Sequence, residues 1–147
     1  MTLSSKKNTL LRGLVTAAAI TLLGTTPVWA HGNVTPQPVD TTGLKNLGTE
    51  WLMSNPYREN HKAIEIGEHG YAANCAGCHG LHAVSGGMAP DLRELEKGDE
   101  GDEWYIERVK NGVIRNGKVF CPRFDGIMSQ EAMWAIRAWL ETLEAPE

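Results

Sequence analysis

The sequence is poor in cysteine: its 147 residues contain three, Cys75, Cys78 and Cys121. An odd number excludes a framework in which every thiol is paired in a disulfide within the chain. The sequence also lacks an excess of basic residues, because 14 Lys and Arg stand against 18 Asp and Glu. Neutralising phosphates requires a basic surface, so nucleic acid is not expected as a partner.

A long apolar run is missing as well. The most apolar stretch, residues 14–24, is too short to span a bilayer comfortably. It follows three basic and no acidic residues and precedes Val-Trp-Ala at 28–30, which is the pattern of a secretory signal peptide with its cleavage site. We therefore predict that residues 1–30 are removed on export; the alternative is their retention as an uncleaved anchor. Loss of the three basic residues would change the net charge from −4 to −7 and leave 117 of the 147 residues.

The alternating pattern of β-strands is also absent, whereas helical spacing recurs in three segments. We predict helices at 60–74, at 102–111 with Asp102 at its start, and from the N-cap Ser129 to about residue 143. The acidic run at 94–103 predicts a solvated loop, in which one helical turn can form.

The predicted organisation is an all-α domain with three main helices and long loops. Prolines at 36, 38 and 56 favour an extended N-terminal arm at 31–58, and the folded domain would occupy 59–147. Three short helices bury little surface, so a domain of this size usually needs a disulfide, a metal or a cofactor to stabilise it.

One sequence motif can bind such a cofactor. Residues 75–79 read Cys-Ala-Gly-Cys-His, the C-x-x-C-H signature of covalent haem c attachment. Cys75 and Cys78 can each add to a vinyl group on one porphyrin edge, and His79 can then coordinate the iron. A thioredoxin-like redox pair would need a βαβ context, and a zinc site would need a second ligand pair at metal spacing. We therefore predict one covalently bound haem c.

The segments "YAANCAGCHG" and "SQEAMWAIRAWLETL" make the chain resemble the class I monohaem cytochromes c. The resemblance implies their small all-α fold around one haem. It implies that the first and last helices cross at Gly67, with Tyr71 and Trp139 packed beside the contact. It also implies that the carbonyl oxygen of Pro90 accepts a hydrogen bond from His79, which would orient the imidazole ring.

The likeness extends over nearly all of the chain after residue 30. "HGNVTPQPVDTTGL", "NPYREN", "SGGMAPDLR", "VKNGVIRNG" and "MSQEAMWAIR" resemble the PedF-like cytochromes. These are periplasmic electron acceptors for quinoprotein (PQQ-dependent) alcohol dehydrogenases. The resemblance implies a periplasmic carrier of single electrons towards a terminal oxidase, with redox proteins as partners and no enzymatic activity of its own.

The chain departs from the family at the second axial ligand. Class I proteins usually supply a methionine in a Met-Pro pair, but "VFCPRFDG" has Cys121 there, with Pro122 and Phe124 at the expected places. Cys121 can ligate the iron as a thiolate, or Met128 or Met88 can replace it. A third alternative is a five-coordinate iron with Cys121 as an inert buried thiol.

The identity of this ligand affects the expected function. An anionic thiolate favours Fe(III) more than a neutral thioether does, so His79 and Cys121 together would give a low reduction potential. A low potential fits poorly with an acceptor for a PQQ enzyme. The alternative function is therefore a low-potential haem that acts as a redox or small-ligand sensor, or in sulfur chemistry.

Overall fold

The computed structural model describes residues 35–146, so the predicted signal peptide and residues 31–34 of the predicted arm lie outside the described residues. Four α-helices follow in order: α1 (His61–Asn74), α2 (Ala76–His79), α3 (Asp99–Asn111) and α4 (Gln130–Leu140). Single 3₁₀ turns lie at Leu81–Ala83 and Leu92–Glu94. The mostly helical fold with three main helices confirms the predicted class. Across residues 35–146, no helix combines the length and the apolar character that a membrane crossing needs.

The starts of α1 and α4 follow from their capping residues. The Asn60 side chain accepts a hydrogen bond from the backbone N–H of Ala63 (3.1 Å). The Ser129 hydroxyl accepts one from the backbone N–H of Ala132 (3.3 Å). Each bond satisfies a donor that the first helical turn leaves free, as expected for Asn and Ser at this position.

The predicted start of the second long helix is wrong. α3 begins at Asp99, three residues before the predicted Asp102, and Gly98 is its N-cap. Asp102 does not cap the helix: it is fully buried and bonds to two arginines, Arg58 and Arg137. The second half of the acidic run is therefore helical, and the solvated-loop prediction does not hold there.

Helices α1 and α4 pack against each other at Gly67. A Cβ atom on Gly67 would lie 1.9 Å from the carbonyl oxygen of Ala135, so only glycine permits this approach. Beside the contact, the ring centroids of Tyr71 and Trp139 are 4.6 Å apart. This is the crossing of first and last helices that the family resemblance implies.

Every residue of α4 is buried, which makes this helix the centre of the core. The N-terminal segment covers its outer side through polar contacts. Glu131 accepts a hydrogen bond from the backbone N–H of Leu47 (2.8 Å). Gln130 donates to the carbonyl oxygens of Gly48 and Glu50, both at 3.0 Å. Buried polar groups need such partners, so Glu131 and Gln130 hold the N-terminal segment against α4.

The structure also contains a short antiparallel hairpin that the sequence analysis did not predict, formed by β1 (Val113–Arg115) and β2 (Lys118–Cys121). Its two-residue turn is Asn116-Gly117, and both residues have positive φ (51° and 72°). Asn-Gly is the usual sequence of such tight hairpin turns, because both residues tolerate this conformation. The expectation of no strand is therefore corrected, and the missed signal was this dipeptide.

Candidate functional site

A cleft lies between the end of α1, α3 and the hairpin, and its wall includes Cys75, Cys78, His79 and Cys121. Its cavity volume is about 200 Å³, and it is partly open to solvent. Most of its wall is apolar; buried or partly buried members are Leu92, Tyr105, Val109, Val113, Phe124, Ile136 and Leu140. The structure thus brings the C-x-x-C-H motif and the third cysteine to one apolar cleft.

The histidine of the motif is held by the loop that follows it. Nδ1 of His79 lies 2.8 Å from the carbonyl oxygen of Pro90. With Nδ1 as donor, Nε2 is the nitrogen with a free lone pair, and among the described residues it has no hydrogen-bond partner. A metal-ligating histidine is commonly oriented in this way by a bond to its second nitrogen. The geometry agrees with the bond that the family resemblance implies.

The loop that carries Pro90 is fixed by Asp91. Its carboxylate accepts hydrogen bonds from the backbone N–H of Ser85 (3.2 Å) and from the Arg93 guanidinium (2.7 Å). Hydrogen bonding to Arg93 holds the pKa of Asp91 well below its usual range. The charged carboxylate therefore stabilises the backbone that orients His79.

Cys121 reaches the cleft because the hairpin is irregular. Val113 pairs with Cys121, but the next pair is Ile114 with Val119, so Phe120 is an extra residue in β2. A regular strand would turn neighbouring side chains to opposite faces. At this bulge, both Phe120 and Cys121 line the cleft, in accord with the ability of bulges to redirect side chains at functional sites.

The three thiols are close enough to influence one another. Burial raises the pKa of the Cys75 thiol to about 12, and the neighbouring Cys121 and Cys78 add to the rise. Burial also raises the pKa of Cys121, again with a contribution from Cys78. Without a cation in the cleft, Cys75 and Cys121 are therefore neutral thiols at neutral pH.

The other predicted site residues occupy different places. Phe124 is buried in the cleft wall. Tyr71 lies outside the lining residues, and its hydroxyl donates to the carbonyl oxygen of Gly80 (2.8 Å). Met128 is buried and faces a separate surface pocket beside Trp51, so the structure does not bring it to the cleft. Met88 lies at the cleft but is 70% exposed.

Several lining residues were missed by the sequence analysis. Trp104 and Arg108 stand one turn apart on α3, and the Arg108 guanidinium lies 3.7 Å from the centroid of the Trp104 ring. Tyr105 is buried and donates its hydroxyl proton to the carbonyl oxygen of Met133 (2.9 Å). Arg115 and Phe120 come from the hairpin. The i, i+4 spacing of Trp104 and Arg108 and the Asn-Gly turn were the available signals.

These residues fit a covalently attached haem. Two thiols and an oriented imidazole converge on an apolar cleft, which suits a porphyrin bound by thioethers and one nitrogen ligand. A structural zinc site would instead gather its donors around one point. In the described part of the chain, no three His, Cys, Asp or Glu side chains cluster in that way.

Comparison with known proteins agrees with this fit. Residues 62–140 match the family described as cytochrome c oxidase, cbb3-type, subunit III. The chain is 52% identical to cytochrome c550 of Pseudomonas aeruginosa over 145 residues, which cover 96% of this chain and 99% of the relative.

Two longer relatives match in part. Quinohemoprotein alcohol dehydrogenase ADH-IIG of Pseudomonas putida is 58% identical over 78 residues, which are 53% of this chain and 10% of that protein. Quinohemoprotein alcohol dehydrogenase ADH IIB of the same species is 28% identical over 92 residues, 63% of this chain and 13% of that protein. No solved structure matches the chain significantly. The chain therefore belongs to the cytochrome c family, and it is an electron carrier with covalently attached haem c.

Proposed function

We propose that the protein is a periplasmic carrier that takes single electrons from a PQQ-dependent alcohol dehydrogenase and passes them towards a terminal oxidase. The observation that carries this proposal is the 58% identity of a 78-residue segment with part of a quinohemoprotein alcohol dehydrogenase. That relative combines, in one protein, an alcohol dehydrogenase with a region similar to this chain. A separate chain of the same kind suits a dehydrogenase that lacks such a region.

The residues that hold the haem are part of the proposal. Cys75 and Cys78 would form the two thioethers, and Nε2 of His79 would be one axial ligand. Cys121 is the best candidate for the second ligand, because it lies in the same cleft as His79, whereas Met128 faces another pocket. Met88 is a poorer candidate, since it is two residues from the Pro90 that orients His79 and is mostly exposed.

When bound, the haem supplies an iron that gains and loses one electron. The chain's contribution is to orient His79 through Pro90, to exclude water with the apolar wall, and to present the sulfur of Cys121. Burial favours the neutral thiol of Cys121, so the positive charge of a bound ferric iron would be needed to favour its thiolate. As a thiolate ligand, Cys121 would favour the ferric state and a low reduction potential.

A low potential would fit poorly with an acceptor for a PQQ enzyme, and it would favour a second candidate function instead. The bulged hairpin that carries Cys121 has little packing, since Val119 and Phe120 are 66% and 60% exposed. A ligand on such a hairpin can be displaced more easily than one in the core. The second candidate is therefore a redox or small-ligand sensor, or a centre for sulfur chemistry.

Rapid mixing tests the carrier function. A purified PQQ-dependent alcohol dehydrogenase with its alcohol should reduce the exported haem protein in stoichiometric single-electron steps, and the absence of any reduction would contradict the proposed donor.

Carbon monoxide and cyanide separate the two candidate functions, because a six-coordinate carrier should resist both ligands, whereas a sensor should bind one of them. N-terminal sequencing of protein from the periplasm should begin at His31.

A further inference from the structure

The tip of the hairpin, residues 114–119, combines an exposed apolar pair with an exposed basic pair. Ile114 and Val119 form a cross-strand pair, and they are 70% and 66% exposed. Neither side chain lines the cleft. Arg115 and Lys118 form the adjacent cross-strand pair and are also exposed, and Arg115 in addition lines the edge of the cleft. An apolar pair thus sits directly beside a basic pair at the end of a projecting turn.

The basic residues of the tip lack acidic partners. Within residues 35–146, no carboxylate lies within ion-pair distance of Arg115 or Lys118. Some other basic residues do have one: Lys62 pairs with Glu65, and Arg93 pairs with Asp91. The charge on the tip is therefore available to a molecule outside the chain.

Basic and acidic residues are separated along this part of the sequence. Residues 108–123 contain five basic and no acidic residues, although the whole chain has a net charge of −4. The preceding segment, residues 94–103, contains six acidic residues and one lysine. Such segregation produces a local positive field on an acidic protein, which attracts and orients a partner of opposite charge.

The tip is continuous with the haem cleft. Phe120 follows Val119 directly, is 60% exposed, and lines the cleft beside Cys121. The Arg115 guanidinium lies 5.7 Å from the centroid of the Phe120 ring. A partner on the tip would therefore contact the surface where the redox site approaches solvent.

We propose that the hairpin tip is the docking surface for an acidic redox protein, with Ile114 and Val119 as apolar contacts and Arg115 and Lys118 as the charges that steer it. The proposal rests on the carrier function proposed above. It adds the surface used and the charge of the partner. The expected partner has carboxylates around an apolar redox centre. Its carboxylates would then face the basic pair of the tip, and its apolar surface would contact the apolar pair.

The test uses the haem-loaded protein and two double substitutions, of which the control removes two positive charges and the tip variant one. Lys118→Gln with Val119→Ser alters the tip without touching residues of the cleft wall. Lys45→Gln with Lys62→Gln also removes positive charge, but on the arm and α1, away from the cleft. Potentials and visible spectra of both variants should equal those of the wild type, which shows that the haem site is intact.

The first experiment measures the rate at which a purified PQQ-dependent alcohol dehydrogenase reduces each variant at low salt. We expect the second-order rate constant to fall about fivefold or more in the tip variant and by less than about twofold in the control, with a weaker salt dependence in the tip variant. Equal rates for the tip variant and wild type would overturn the docking surface.

A second experiment tests the docking surface with small inorganic oxidants, so that it does not depend on the dehydrogenase being the donor. Oxidation of the reduced protein by the anion hexacyanoferrate(III) should slow in the tip variant and not in the control, and oxidation by the cation tris(1,10-phenanthroline)cobalt(III) should not slow. If the wild type is not reduced by the enzyme but the hexacyanoferrate(III) result holds, the proposed donor fails and the basic docking surface stands. An unchanged hexacyanoferrate(III) rate overturns the surface.

Sedimentation distinguishes a second copy of the chain as the occupant. The wild type should sediment as a monomer under the conditions of the kinetics. A dimer that the tip substitutions dissociate would show that the tip binds another copy, and would overturn the proposal of a redox partner.

Discussion

The Nε atom of Arg137 lies 2.7 Å from Oδ1 of Asp102, and both side chains are fully buried. The pair joins α4 to α3 in the core. Arg58 donates to the other oxygen of the same carboxylate at 2.6 Å. Asp102 also accepts a hydrogen bond from the backbone N–H of Asn55 (2.7 Å), so one acid ties the N-terminal segment to both helices.

Replacing Asp102 with Asn should destabilise the protein strongly. The substitution leaves the buried guanidinium of Arg137 without its closest counter-charge, and such broken pairs cost about 3–5 kcal/mol. The free energy of unfolding of the haem-loaded protein in urea measures the loss. The control is Lys62→Gln, which breaks an exposed pair with Glu65 and should cost less than about 1 kcal/mol. Equal effects of the two substitutions would contradict a structural role for the buried pair.

Gly67→Ala should separate α1 from α4. The new Cβ would overlap the carbonyl oxygen of Ala135, which is backbone and cannot move aside without shifting a helix. We expect a loss of about 3 kcal/mol or more in the free energy of unfolding, the upper end of overpacking costs. Gly86→Ala is the matched control, because nothing lies within 4 Å of its Cβ position. A stability equal to that of this control would show that the helices do not cross at Gly67.

Acid should weaken the loop that orients His79. The pKa of Asp91 is lowered in the folded protein by its bond to Arg93, so its contribution to stability is complete above the unfolded value of about 4. It is lost as the pH falls from that value through the lower folded pKa. The stability difference between wild type and Asp91→Asn should therefore be constant above pH ~5 and shrink below pH ~4. A difference that stays constant at lower pH would contradict this role.

The hairpin turn should depend on its glycine. Gly117 has a φ of 72°, where an alanine side chain is strained by about 1–2 kcal/mol. Gly117→Ala should therefore lower the stability of the hairpin and increase the fraction of haem iron that binds cyanide, because Cys121 lies on β2. Asn116→Gly serves as the control and should change neither property much, since glycine accepts the positive φ. Identical cyanide binding in both variants would show that the stability of the hairpin does not affect coordination by Cys121.

Much of this fold could be predicted because its local signals are strong. Ser129 begins α4 as its side chain chemistry requires, and the C-x-x-C-H spacing identified the haem motif. The start of α3 was missed because Asp102, a good capping residue by type, is used instead as a buried partner of Arg137. Local preference cannot reveal an ion pair between residues 35 positions apart.

The cleft was predictable only in part. Cys75, Cys78, His79 and Pro90 were found from the motif and the family resemblance, whereas Trp104, Arg108 and Phe120 were not. Their presence in the wall depends on the packing of α3 and on the bulge in β2, which are tertiary properties. The Asn-Gly turn was visible in the sequence and would have predicted the hairpin, but not the bulge that brings Cys121 to the cleft.

Low-temperature electron paramagnetic resonance of the ferric protein, compared with the Cys121→Met variant, tests most directly whether Cys121 is the second axial ligand. The wild type should show the low-spin signature of a thiolate ligand. The substitution should remove that signature and raise the reduction potential by at least about a tenth of the roughly 0.8 V range that axial ligands span. A wild-type spectrum without a thiolate signature, together with a potential that Cys121→Met leaves unchanged, would contradict ligation by Cys121.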